Sequence, residues 1–175
     1  MKQADFEAWI MELPKVQREV NFGQSFFFVG DDHRLPFVTI VDSDSEYDQV
    51  SNLNREGVFR LSIGVGKQTF QRLVAGKPDE PIDYSRLNVF LPHPHYARQG
   101  FVCILNPAGE NVEITKQLIM EAHSLAEKRL QHKRGSENRR LKNQTDLKKG
   151  GTAGASPVSL MRGGSTIRLI IDLFR

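Results

Sequence analysis

A single cysteine in 175 residues leaves nothing for an intrachain disulfide to join, and without a Cys-x-x-Cys pair thiol redox chemistry has no motif. No run approaches the roughly 20 apolar residues of a membrane span, and the opening Met1-Lys2-Gln3-Ala4-Asp5-Phe6-Glu7 holds no secretory apolar segment. The expectation is a cytoplasmic protein with no membrane span. His-Glu-x-x-His and Gly-x-Ser-x-Gly are also missing, so metalloprotease and serine-hydrolase readings have no motif behind them. The one thiol, Cys103, lies in Phe101-Val102-Cys103-Ile104-Leu105 and reads as a small buried side chain.

What is present is unevenly charged. Residues 1–127 hold 12 Lys and Arg against 18 Asp and Glu, a net −6, whereas residues 128–175 hold 12 against 3, a net +9. With 39% hydrophobic residues the chain can bury one good core, so an acidic body over residues 1–130 with a basic appendage is the natural division. From Gln131 to about residue 165 apolar residues are too sparse to offset ordering entropy, and a chain without fixed structure is expected. Ile167, Leu169, Ile171 and Leu173 then alternate, which suits a terminal strand over 166–174 docking on a sheet edge or on a second chain as a homodimer.

Within the body, Phe6, Trp9, Ile10 and Leu13 recur at helical spacing, with Asp5 in the first turn and Pro14 beyond, and predict a short helix over 5–13. Ser25–Val29 and Phe37–Val41 are aromatic or β-branched and predict two paired strands. Residues 42–57 are polar and aperiodic, a surface loop. Val58–Val65 alternates, with Val58, Arg60, Ser62 and Gly64 on one face and Phe59, Leu61, Ile63 and Val65 on the other, a half-buried strand. A helix over 67–75, a strand at Phe101–Leu105 and a long helix from about 111 to 130 complete an α+β domain. Its small, mainly antiparallel sheet is covered by the N-terminal helix and the long one.

The densest site chemistry is His93-Pro94-His95-Tyr96-Ala97-Arg98-Gln99, stiffened by Pro92 and Pro94. Histidines at i and i+2 share a side in extended chain. A divalent metal would still need a third ligand from His33, the acids at 42–48 or His123, so no metal or cofactor is predicted. His93, His95 and Tyr96 are the candidate acid/base groups. Arg60, Arg98 and Arg34 are candidate anion ligands, because guanidinium forks bind carboxylate and phosphate. The bland account of Arg60 is an ion pair with Asp42, Asp44 or Glu56. Gly64-Val65-Gly66-Lys67-Gln68-Thr69 lacks the spacing of a phosphate loop or a dinucleotide loop, and Asp42–Asp48 lacks the ligand order of an EF-hand.

Gly23-Gln24-Ser25-Phe26-Phe27-Phe28, Leu35–Val41, Ser51-x-Leu53–Val65 and Leu91-Pro92-His93-Pro94-x-Tyr96–Pro107 together resemble a bacterial family, domain of unknown function 6194, over about residues 1–130. The resemblance implies no activity. Asn54 stands where the family commonly has an acid, Glu56 where it has proline and Phe101 where it has Trp, while position 95 varies. That variation leaves His93, Tyr96 and Arg98 as the better-supported site residues. More distantly, the element order resembles the small α+β domains of the MmcQ/YjbR-like group, some of which are called DNA-binding. Three functions are then open: a domain that binds a small molecule or a protein; an enzyme using His93 or His95 as acid/base; and a protein that holds nucleic acid non-specifically through its basic extension.

Overall fold

The computed structural model describes residues 1–75 and 81–149. Along these the chain forms α1 (Gln3–Met11), β1 (Val16–Asn21), β2 (Gln24–Val29), β3 (Val38–Val41), β4 (Arg60–Gly64), α2 (Lys67–Val74), β5 (Leu91–Pro92), a 3-10 turn at Ala97–Gln99, β6 (Phe101–Leu105) and α3 (Glu110–Lys149). The strands make one antiparallel sheet in the order β1-β2-β3-β4-β6-β5. With α1 and α3 flanking it, the α+β architecture is as expected.

Register decides which side chains share a face. One row across the sheet is Phe27, Val38, Ile63 and Val102, and the next is Ser25, Ile40, Leu61 and Ile104. Apart from Ser25 these residues join Phe6 and Ile10 of α1 and Leu118, Ile119, Ala122, Ala126 and Leu130 of α3 in one buried cluster. The helices therefore cover this face, and its apolar area supplies the main driving force for folding. α1 starts as its sequence directs, with the Asp5 carboxylate accepting the Lys2 N–H at 2.7 Å. Arg18 of β1 fixes the helix to the sheet edge by reaching Glu7 at 2.8 Å.

The opposite rows are different. Phe26, Thr39, Ser62, Cys103 and Leu91 stand in one line across the strands, and Val41, Arg60 and Leu105 in the next. The polar members lie among buried residues, so β4 is enclosed on both faces rather than half-buried as its alternation suggested. Loop chain at 42–57 and 93–96 covers this side.

Two elements differ from expectation. β1 was not foreseen, because Val16 and Val20 are the only apolar residues in Val-Gln-Arg-Glu-Val-Asn, and an edge strand carries little periodic signal. It joins β2 through Phe22 and Gly23, both at positive φ (50° and 76°), a two-residue turn of the I′ kind whose twist matches a hairpin. α3 does not stop near 130 but continues to Lys149. Residues 131–149 are thus helical where unstructured chain was expected. Lys, Arg, Gln and Glu are good helix formers, and the packed turns before Leu130 remove the cost of nucleation. Lys133 and Arg134 also pair with Asp32 and Asp31 at 3.4 and 3.1 Å. The expected strand at 166–174 and the glycine at 76 lie outside the described residues.

A side chain at Gly30, at the end of β2, would face Leu130 of α3. The φ of Gly30 is +65° and a Cβ there would stand 2.7 Å from Leu130 Cδ2, so Gly30→Ala combines backbone strain with a clash. Chemical denaturation of this variant is expected to show a loss of about 1–3 kcal/mol. At Gly57 (φ +70°) a Cβ meets nothing within 4 Å, and Gly57→Ala should cost only the backbone term, about 1 kcal/mol. Equal losses at both positions would show that helix contact plays no part.

Candidate functional site

Arg60 is the origin of the site. Its place on β4 puts a guanidinium on the loop-covered face of the sheet with 3% of its area exposed, where an unpaired charge would be severely penalised. The charge is met by Asp48. Nη2 pairs with Asp48 Oδ2 in a short contact, Nη1 lies 3.4 Å from Asp48 Oδ1, and Nη1 also donates to Ser51 Oγ at 2.8 Å. The expected ion pair thus exists, with Asp48 rather than Asp42, Asp44 or Glu56. Burial drives the Asp48 carboxyl up, but the hydrogen bonds and charge of Arg60 outweigh it and leave its pKa below the ordinary value.

The loop bearing Asp48 is held for this contact. Asp44 accepts the Leu53 N–H at 2.8 Å, Asn54 accepts the Asp44 N–H at 3.1 Å, and Ser45 and Asp48 bridge each other's backbone. Arg55 donates to the carbonyls of Ser51, Asn52 and Ser85, tying this loop to the next. Asp44 and Asp48 are therefore committed to loop closure and to Arg60 rather than to a cation.

His93 follows β5 and is buried. Its Nδ1 accepts two backbone N–H groups, from His95 at 3.1 Å and Tyr96 at 3.2 Å. An atom accepting two donors carries no proton, so the ring is neutral with its hydrogen on Nε2. Burial pushes its pKa down to about 3, with Arg60 adding to the shift and Asp48 opposing it. The Tyr96 ring packs 4.8 Å from that of His93. Burial, with the Asp48 charge, raises the Tyr96 phenol to about 12, which keeps its proton in place. His95 is different. Its side chain is 44% exposed and Nε2 lies 3.7 Å from Asp48 Oδ1, near enough to sense the charge but beyond hydrogen-bond reach.

These groups converge on a cavity of about 190 Å³ lined by Gln24, Thr39, Val41, Ser45, Tyr47, Asp48, Arg60, His93, His95 and Tyr96. The volume corresponds to about six water molecules in the liquid. Of the sequence candidates, Arg60, His93, His95 and Tyr96 come together. Arg98 is exposed on the 3-10 turn and does not line the cavity, and Arg34 forks onto Asp32 at 2.7 and 3.0 Å near α3. The three arginines form no common anion pocket. Gln24, Thr39, Tyr47, Ser51 and the role of Asp48 were not foreseen. A polar Thr39 inside Phe37–Val41 was the available signal, since alternate polar residues in neighbouring strands meet once the register is known.

The remaining motifs resolve physically. His33 stacks on Phe28 with ring centroids 4.8 Å apart and bonds to Glu19 and Gln17. His123 bonds to the Pro14 carbonyl at 2.8 Å and packs edge-on to Phe37. Neither can serve as a third ligand with His93, and among the described residues no three His, Cys, Asp or Glu side chains group to hold a metal. At the glycine-bearing start of α2, the Gly66 N–H and the Thr69 hydroxyl both donate to the Glu121 carboxylate at 2.9 Å. An internal anion thus sits where a phosphate would bind. A wider hollow of about 750 Å³ runs between the N-terminus and residues 53–59, but its charged residues Lys2, Asp42, Arg55 and Glu56 are none of them buried.

A sheet with helices on one face and a loop-roofed polar cavity on the other defines a small α+β domain. The chain belongs to the Family of unknown function (DUF6194), whose match spans residues 1–135. Comparison with curated proteins and with solved structures gave no match. Among the described residues no helix is long and apolar enough to cross a membrane.

The neutral state of His93 has a measurable sign. Its folded pKa lies below the ordinary 6.5, so between pH 6.5 and about 3 the unfolded chain binds a proton that the folded chain does not. Stability therefore falls as pH falls through this window, by up to about 1.4 kcal/mol per pH unit from this group. His93→Asn, which offers an acceptor without titrating, is expected to lose this component in urea denaturation at pH 7, 5.5 and 4. Ring resonances of His93 should stay those of the neutral form down to about pH 4. A midpoint near 6.5 would contradict the burial and bonding described.

Proposed function

We propose that this domain binds a small uncharged molecule with a flat apolar part in the cavity between β2, β3, β4 and the His93–Tyr96 segment. The observation that carries the reading is the Arg60–Asp48 pair beside the cavity, with Arg60 buried, Asp48 half-buried and the pair internally neutral. A charged ligand would bring an unmatched charge against one member of the pair, whose strength in low dielectric makes that repulsion costly. Neutral His93 and protonated Tyr96 add no net charge. The hydroxyl of Thr39, the amide of Gln24 and the phenol of Tyr96 offer both donors and acceptors, while the rings of Tyr47, His95 and Tyr96 offer flat apolar surface. The expected likeness to the MmcQ/YjbR-like group adds nothing to this reading, because a shared fold does not select a ligand.

A second reading, acid/base catalysis on the bound molecule, is favoured for His95 by its partial exposure and its approach to Asp48. His93 is unsuited, being neutral and bonded at Nδ1.

The test is NMR titration of isotope-labelled full-length protein with heteroaromatic amides and their carboxylate counterparts. Amides should shift the resonances of Thr39, Arg60 Nε–H, His93 and Tyr96, with the carboxylates at least tenfold weaker, and Thr39→Val should weaken the amides. The proposal fails if both series bind equally, if shifts gather at residues 53–59 instead, or if no amide perturbs the cavity. His95→Gln should weaken binding only mildly, through the lost ring face, while abolishing any turnover.

A further inference from the structure

Beyond Leu130 no residue of α3 is buried among those whose side chains are described, yet the helix runs on to Lys149, about 28 Å further at 1.5 Å per residue. This segment carries Lys133, Arg134, Arg139, Arg140, Lys142, Lys148 and Lys149 against Glu137 and Asp146. Lys133 and Arg134 are drawn to Asp32 and Asp31 at its root. Arg139, Arg140 and Lys142 are exposed and make no ion pair among the described residues. Arg139 only turns its Nε–H to the Gly135 carbonyl at 3.2 Å.

A helix that neither packs nor balances its charge needs an external account. It lacks the apolar stripe of a membrane-lying helix or a coiled coil, since among the described side chains beyond Leu130 the one large apolar residue is Leu141, 61% exposed. Its cations are separated from the acidic body, so they meet a polyanion without interference from their own domain. A bare helix about 10–12 Å across also matches the roughly 12 Å major groove of B-form DNA, whereas the narrow major groove of A-form RNA excludes it.

We propose that the part of α3 beyond Leu130 forms a duplex-DNA contact surface, in which the exposed Arg139, Arg140 and Lys142 meet phosphates irrespective of base sequence. This surface is independent of the cavity and does not rest on its ligand.

Three phosphate contacts imply that affinity falls with the power of about −2.7 in salt, roughly 40-fold between 50 and 200 mM KCl. Fluorescence anisotropy of the full-length protein with a labelled 20-base-pair DNA should show that dependence. R139Q/R140Q/K142Q keeps good helix formers and the helical circular dichroism, and should bring the power close to zero. Thr39→Val should leave DNA binding unchanged. The proposal is overturned if the full-length protein fails to bind at 50 mM salt or if the triple variant retains the steep dependence. Equal binding to an RNA duplex of the same length, or to phosphatidylserine vesicles, would likewise overturn duplex DNA as the partner.

Discussion

A guanidinium inside a sheet cannot be left alone, and the loop side of this fold is organised around that constraint. Arg60 sits on β4 between β3 and β6, where truncating a partner of a buried ion pair typically costs about 3–5 kcal/mol. The Asp48 carboxylate and the Ser51 hydroxyl answer it, and the loop must fold back over the sheet to deliver them. The internal bonds of Asp44, Asn54 and Arg55 then follow as the means of holding that return.

The two faces of the sheet thereby take different work. One is an apolar surface on which α1 and α3 pack, sufficient for a stable core. The other admits the Arg60 charge because a loop supplies Asp48 and Ser51 to its two terminal nitrogens, and where the loops do not fill it a cavity remains. A site built on strands holds its groups more firmly than one built on loops alone. Arg60 and Thr39 are strand residues, and His93 is fixed by the two amides that bond its ring.

Much of the fold was legible from residue patterns. The runs at 25–29, 37–41, 58–65 and 101–105 announced β2, β3, β4 and β6, and the stripe from Thr115 to Ala126 announced α3. β1 was not, since an edge strand with two valines among polar residues has no period to read. The end of α3 was misplaced because sparse apolar content was weighed above helix propensity, which a packed helix upstream makes decisive. Of the site, His93, His95, Tyr96 and Arg60 were visible as types that carry chemistry. Their convergence was not, because it depends on sheet register and on a loop whose closing acid, Asp48, is one of several nearby acids that composition cannot rank. Arg34 and Arg98 share the chemistry of Arg60 but fall elsewhere, one on Asp32 and one on an exposed turn.

The most direct measurement is the coupling between Asp48 and Arg60 in a double-mutant cycle of Asp48→Asn, Arg60→Met and the pair, read by urea denaturation at pH 7. If the ion pair holds the loop on the sheet, Asp48→Asn should strand the guanidinium and the double variant should recover much of the loss, a coupling of about 2–3 kcal/mol. Losses that add to within about 0.5 kcal/mol would contradict it, showing that the loop closes without the charge pair.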